Sequence, residues 1–259
     1  MPRILTYNVH RCVGVDKRLD VGRIADVIAA CRPDIVALQE LDVGRVRTGG
    51  VDQAHEIARR LNMSFHFNAA LRVEEEQYGD AILTCLPERL VKAAPLPGLH
   101  PRVPLEPRGA LWIEVDLGPA RLQIFNTHLG LAPAEQQRQA RALAGDDWLG
   151  HPDRRGATIL LGDFNAGPPS IVYRTLTHRL QDARHRAEHQ RRTPTFPSRM
   201  PILRIDHIFV SPEIRVGALS APFTAMTRKA SDHLPLVMEF EVEGVSSALA
   251  TSPAAMART

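Results

Sequence analysis

"ATILLGDFNAG", residues 157–167, decides how this chain is read. Ala157 to Leu161 are fit to be buried, and they run straight into a glycine, a carboxylate, an aromatic ring and a side-chain amide. The run predicts a core strand over 157–162 whose end presents Asp163 and Asn165 together, since residues i and i+2 of an extended chain share a face. One such ending is ordinary, because turns favour Asp, Asn and Gly. Its weight comes from repetition.

The pattern recurs on both sides. Asn8 sits near the end of "RILTYNV", Glu40 ends "DIVALQE", and His128 ends "RLQIFNTH". Asp206 and His207 precede "IFV", and Asp232 and His233 precede "LPLVMEF". Taken singly, each has a plain alternative. Glu40 reads as an exposed strand-end carboxylate, Asn8 and "GDFN" as turn residues, and the "DH" pairs as chance. His10, His55, His66, His100, His151, His178, His185 and His189 lack such a setting and read as surface or ordinary polar groups.

Between these strands lie a few helices. "LDVGRIADVIAACRP" has Asp20 as N-cap, Ile24, Val27, Ile28 and Cys31 on one face, and Pro33 as its stop. Residues 52–61 form a second helix, Pro133 opens a third through about Trp148, and a short one falls near 170–177. Further strands are expected near 64–69, 80–84, 89–93, 110–117 and 120–127, with "RIDHIFV", "EIRVGAL" and "LPLVMEFEV" the last. Strands in adjacent pairs, separated by long helices, predict two mixed sheets packed face to face with helices outside, an α+β arrangement. No linker divides the chain, so residues 1–243 read as one domain and 244–259, small and polar without periodicity, as a disordered tail.

The composition is that of a globular protein, 44% hydrophobic and 24% charged over 259 residues. A net charge of +3 is compatible with an anionic partner but falls short of a histone-like binder, and 5% aromatics leave little for base stacking. Cys12, Cys31 and Cys85 show no metal-type spacing and read as reduced thiols. No leader precedes the first strand and no apolar run is long enough to span a bilayer, so a cytoplasmic location and a monomer are expected, peripheral membrane contact staying open.

A hard dication such as Mg²⁺ takes one or two carboxylates and several waters, leaving room for phosphate oxygens. Glu40, Asp163, Asn165 and Asp232 would supply that site, with Mn²⁺ as a substitute metal. Histidines beside carboxylates can move a proton or donate to a developing oxyanion. The set is what metal-assisted phosphoester hydrolysis requires.

In order, "TYNVH", "LQE", "YGDAILT", "NTHLG", "GDFN", "IDHIFVS" and "SDHLP" resemble the magnesium-dependent endonuclease/exonuclease/phosphatase superfamily, over about residues 3–242. The resemblance implies a four-layer α/β/β/α sandwich with its site at one edge of the two sheets. It implies Glu40 as principal metal ligand, Asn8 supporting it, and Asp232 as a second carboxylate near the metal. Asp163 would orient or deprotonate the attacking water, Asn165 would hold a phosphate oxygen, and His233, held by Asp206, would contact the scissile phosphate. His128 matches a position that is His in pancreatic-type deoxyribonucleases and Tyr in apurinic endonucleases. One departure is Asp80, where many members have Asn; it implies an Asp80–His128 pair that raises the histidine's pKa.

The reaction class is more legible than the substrate. Arg45, Arg47, Arg108 and the stretch 184–199, Arg199 above all, could line an anionic cleft. Modest charge favours a small or lipid phosphoester, with DNA cleavage, and so a nucleic-acid partner, as the alternative. A non-catalytic phosphate-binding module is the remaining reading.

Overall fold

Residues 157–163 are buried without exception, so the strand that opened the sequence argument is covered on both faces. The computed structural model describes residues 1–99, 105–190 and 193–243. The tail 244–259, His100 and residues 191–192 of the basic stretch lie outside them.

In chain order the elements are β1 (Arg3–Asn8), α1 (Val21–Cys31), β2 (Ile35–Val43), α2 (Gln53–Leu61), β3 (Ser64–Val73) and β4 (Glu76–Thr84). Next come β5 (Glu88–Pro95), β6 (Gly109–Asp116), β7 (Arg121–His128), α3 (Pro133–Ala144), β8 (Ala157–Asp163) and α4 (Ile171–Thr177). The last are β9 (Gln181–Asp182), α5 (Ala183–Arg186), β10 (His189–Gln190), β11 (Asp206–Val210), β12 (Ile214–Ser220), α6 (Thr227–Ala230) and β13 (Leu236–Val242). One sheet runs β10-β12-β13-β1-β2-β4-β3 and the other β5-β6-β7-β8-β11-β9.

Alternation along each strand builds the layers. Ile4 of β1, Ile35 and Ala37 of β2, Ile124 of β7, Ile159 and Leu161 of β8 and Ile208 of β11 meet in one core between the sheets. The intervening residues face outward. Leu5, Tyr7, Val36 and Leu38 pack with Ile24, Val27 and Ile28 of α1 and Ile57 of α2. Phe125, Leu160 and Phe209 pack with Leu143 of α3 and Val172 and Leu176 of α4. The result is the expected helix–sheet–sheet–helix sandwich. Burying Ile24, Val27 and Ile28 contributes roughly 1.5–3 kcal/mol apiece before entropy, and the Asp20 side chain caps their helix by accepting from Arg23 N.

Two local details differ from the sequence reading. The third helix stops at Ala144 rather than near Trp148, because Gly145 turns extended there, leaving Trp148 and Leu149 to pack in the outer core. Strand β2 does not end at Glu40 but runs on to Val43.

Candidate active site

The pocket is the polar end of the seam between the sheets. Asn8, His128, Asp163 and Asp206 continue the inward-facing phase set by Ile4, Ile124, Leu161 and Ile208. Thr6, Gln39 and Asn126 separate them from the apolar core. Gln39 Nε2 donates to Asn126 Oδ1 at 2.7 Å, and Asn126 Nδ2 donates to the Leu38 and Ala81 carbonyls, both at 2.9 Å. This buried layer is satisfied from both sheets, so it fixes their register at the edge of the pocket.

Pairing then brings the acids and imidazoles together. His128 lies opposite Asp163 in the parallel β7–β8 pair, and Asp206 lies opposite Asp163 in the antiparallel β8–β11 pair. Gly162 permits the first: a Cβ there would sit 1.9 Å from the Thr127 carbonyl oxygen, and its φ of 145° suits glycine alone. Asp163 Oδ2 accepts from Asn8 Nδ2 at 3.0 Å and lies 3.5 Å from His128 Nε2 and 3.7 Å from His233 Nε2. Burial pushes the Asp163 carboxyl up from its ordinary range, and the Asp206 carboxylate adds to this against the pull of His233.

On the far side of His233, Nδ1 donates to Asp206 Oδ2 at 2.9 Å, and the same oxygen accepts from Thr195 Oγ1 at 2.5 Å. Burial works against the His233 cation, but Asp206, Asp163 and Asp232 outweigh it and hold the imidazole up at about 10. Asn165 reaches the pocket by a turn, not by strand alternation: its backbone N donates to Asp163 Oδ1 at 2.9 Å and its φ is 48°. Its Nδ2 donates to Leu129 O at 3.0 Å and lies 3.1 Å from His128 Nε2.

The expected Asp80–His128 pair is replaced. Arg108 Nη1 donates to His128 Nδ1 at 3.0 Å, which leaves the ring's own proton on Nε2, facing Asp163. Burial, reinforced by the Arg108 guanidinium, pushes the His128 pKa well down rather than up. Asp80 instead accepts from the Glu40 backbone N–H; burial raises its carboxyl to about 8, partly offset by Arg108.

That contact holds a bulge. The β2–β4 register shifts between Leu38 and Leu41, and Glu40, with φ 61°, turns its side chain to the pocket. Asn8 Nδ2 donates to Glu40 Oε1 at 2.9 Å as well as to Asp163. Two carboxylates therefore meet at one amide beside an open cleft, an oxygen-rich setting that fits a hard dication. Asp163, Asp206 and His233 also bring ligand atoms within 4.8 Å of one another. Because Asp206 and His233 are already bonded to each other and buried, that trio suits proton handling better than metal binding.

The cleft encloses about 520 Å³ and is lined by Glu40, His128, Asp163, Asn165, Asp232 and His233, together with Arg108. Of the other arginines, Arg47 lines it, held at 2.6 Å by Asp42, but Arg45 and Arg199 do not; Arg45 is paired with Glu76 at 3.1 Å. His10 and Arg11, passed over in the sequence, do line it. His10 Nδ1 lies 3.9 Å from Asp232 Oδ1, and Arg11 Nη2 lies 2.8 Å from His10 Nε2. Their nearness to Asn8 in "TYNVH" was the available signal.

Comparison with known proteins agrees with this geometry. The Endonuclease/Exonuclease/phosphatase family model matches residues 5–233, and the chain belongs to that family. Its members are hydrolases acting on phosphoester bonds, typically with a divalent metal. The chain is similar to the uncharacterized protein YbhP of Escherichia coli (strain K12), 25% identical over 252 residues, 93% of this chain and 96% of that one. It shares its fold with a functionally unknown conserved protein of Enterococcus faecalis V583 at TM-score 0.76 and 20% identity, covering 93% of this chain and 100% of the other. The mannosyl-6-phosphatase Bt3783 of Bacteroides thetaiotaomicron VPI-5482 also shares it, at TM-score 0.73 and 20% identity with the same coverage, 93% and 100%.

Proposed function

We propose that this chain hydrolyses a small or lipid phosphoester by in-line attack of water, with Mg²⁺ as the metal and Mn²⁺ able to replace it. The observation that carries the reading is the convergence on Asp163 of Asn8, His128 and His233 at 3.0, 3.5 and 3.7 Å. Asp163, with its raised pKa, accepts the proton of the attacking water. Asn165 and the cationic His233 hold non-bridging phosphate oxygens, and Asp206 keeps that cation in place. His128, barred from protonation at Nδ1 by Arg108, offers its Nε2–H to the leaving oxygen or the phosphate. Glu40 and Asp232, with Asn8 fixing Glu40, would hold the metal, which would supply charge neutralisation on the phosphate.

The cleft's size and walls favour a small group over a duplex. Leu131, Phe196, Leu203 and Ile205 give it an apolar wall beside Arg11, Arg47 and Arg108, which suits a phosphoester carrying an apolar or neutral group more than a duplex. The Bacteroides neighbour, a sugar phosphatase on the same fold, is consistent with that choice.

A Mg²⁺-dependent hydrolysis panel tests the proposal, using mannose 6-phosphate, phosphatidylinositol phosphates, bis-p-nitrophenyl phosphate, and nicked and abasic DNA. Activity should appear on a non-nucleic substrate and disappear in Asp163→Asn and His233→Ala. Activity that survives both substitutions would overturn it, and activity confined to DNA would transfer it to a nuclease.

A further inference from the structure

Of the four large apolar side chains most exposed among the described residues, one lines the cleft and the other three lie within three positions of residues that line it. Val46 is 84% exposed, Leu131 73%, and Met200 and Ile202 65% each. Leu131 lines the cleft, Val46 adjoins the lining residue Arg47, and Met200 and Ile202 sit on the turn leading into the lining residue Leu203, itself 48% exposed. Single exposed apolar residues need no explanation, but a set collected at one mouth marks an interaction surface.

The segment carrying Met200 and Ile202 is built to hold them there. Phe196 and Leu203 form a bridge, in which Leu203 N donates to Phe196 O at 2.9 Å and Thr195 N to Leu203 O at 3.0 Å. Within the loop, Met200 N donates to Pro197 O and Ile202 N to Phe196 O, both at 3.0 Å. Ser198 Oγ anchors it by donating to Ser231 O at 2.7 Å, and Thr195 ties its base to Asp206. This is a braced hairpin with satisfied backbone, so the apolar tips are displayed in a fixed geometry instead of folding back.

Cations stand among these tips. Arg199 is exposed between Ser198 and Met200 on the hairpin, and Arg11 lines the mouth; Arg47 lines it too, but its charge is already met by Asp42. Arg11 has no carboxylate partner among the described residues, and its Nε is buried without a hydrogen bond. Apolar tips interleaved with guanidiniums suit a surface that is oily within and anionic at its face. A folded partner or a second copy seated on this rim would close the cleft to substrate, whereas a bilayer can cover it and deliver the phosphoester from the same surface.

We propose that this rim is a peripheral membrane-docking surface, seating the hairpin 196–203, Leu131 and Val46 on an anionic phospholipid bilayer with the cleft turned towards the headgroups. The proposal rests on the phosphoesterase reading above and names where its substrate lies. Val46, Met200 and Ile202 do not line the cleft, so the surface can be altered without touching the chemistry.

The test is flotation of the full chain with vesicles of phosphatidylcholine alone and of phosphatidylcholine mixed with phosphatidylglycerol, beside Mg²⁺-dependent hydrolysis of soluble bis-p-nitrophenyl phosphate. The wild type should float with the mixed vesicles and less with the neutral ones. The triple variant Val46→Ser, Met200→Ser, Ile202→Ser should lose at least about tenfold in partitioning, with melting temperature and soluble-substrate hydrolysis unchanged. A wild type that floats with neither vesicle, or a triple variant that floats like the wild type, overturns the surface. A wild-type dimer that the same variant dissociates, seen by sedimentation velocity, also overturns it and gives the rim to a second copy. Flotation lost as expected, in a chain that hydrolyses nothing, supports the surface and sinks the phosphoesterase reading instead.

Discussion

Arg108 Nη1 donates to His128 Nδ1 at 3.0 Å, and both side chains are buried. A guanidinium in that position fixes the imidazole as the neutral Nε2–H tautomer and opposes its protonation. Replacing Arg108 by Gln should therefore let His128 protonate at a higher pH than in the wild type, read from its imidazole resonances. Loss of the fixed donor should lower kcat by about 10²-fold. An unchanged His128 titration would show that burial alone sets its charge.

The His233–Asp206 contact carries stability with a defined pH window. Because the folded pKa of His233 is raised to about 10, this stabilisation is fully present below the ordinary histidine value and fades as pH rises through the folded one. Asp206→Asn should cost about 3 kcal/mol at neutral pH and progressively less as the pH climbs from there towards 10, where little of the cost remains, measured by urea unfolding with chelator present. An equal loss at both pH values would place the effect in packing.

Asp80 has the same linkage sign for a different reason. Its folded carboxyl is raised to about 8 by burial, so folding is favoured while it stays protonated, and stability declines as pH climbs from the ordinary carboxylate range through 8. Asp80→Asn keeps an oxygen for the Glu40 N–H and cannot ionise. Metal-free thermal melts of this variant should show a flatter pH dependence, with the melting temperature gaining on the wild type between pH 5 and pH 8. Parallel curves would mean that Asp80 is charged and adequately paired with Arg108.

Glu40→Gln removes one of the two carboxylates that meet at Asn8 while keeping shape. Mg²⁺ affinity by calorimetry should fall by at least the roughly 10–100-fold that loss of an outer-shell partner brings, and activity should recover in part at high Mg²⁺. Unchanged affinity would remove Glu40 from the metal site.

Much of the sandwich was readable because apolar residues at both parities of β1, β2, β7 and β8 demand cover on both faces. The polar residues at Asn8, His128, Asp163 and Asp206 were readable because each stands at one end of an apolar run, and the fold then puts them in phase with the inner core. What escaped was set by backbone conformation and by distance along the chain. His10 and Arg11 were missed, and Glu40 and Asn165, though named from the sequence, reach the pocket by a route that was not foreseen; all four adopt positive φ, which side-chain periodicity does not reveal. The bulge at Glu40 hides inside an apolar run that reads as ending there. Arg108 displaces Asp80 from His128 through a loop contact that no local pattern encodes.

The groups assigned to the chemistry stand on strand ends, in the β2 bulge that carries Glu40, on Ser231-anchored Asp232 and His233, or in the turn after β8. By contrast Arg47, Glu106, Leu131, Phe196 and Leu203 belong to connecting segments. Reactivity and selectivity thus occupy separate parts of the architecture. Changing the side chains at Phe196, Leu203 and Ile205, with Thr195 and Ser198 kept to hold Asp206 and the Asp232–His233 segment, should redirect what is cleaved while leaving how it is cleaved intact, so that the scaffold behaves as one fixed engine accepting interchangeable nozzles.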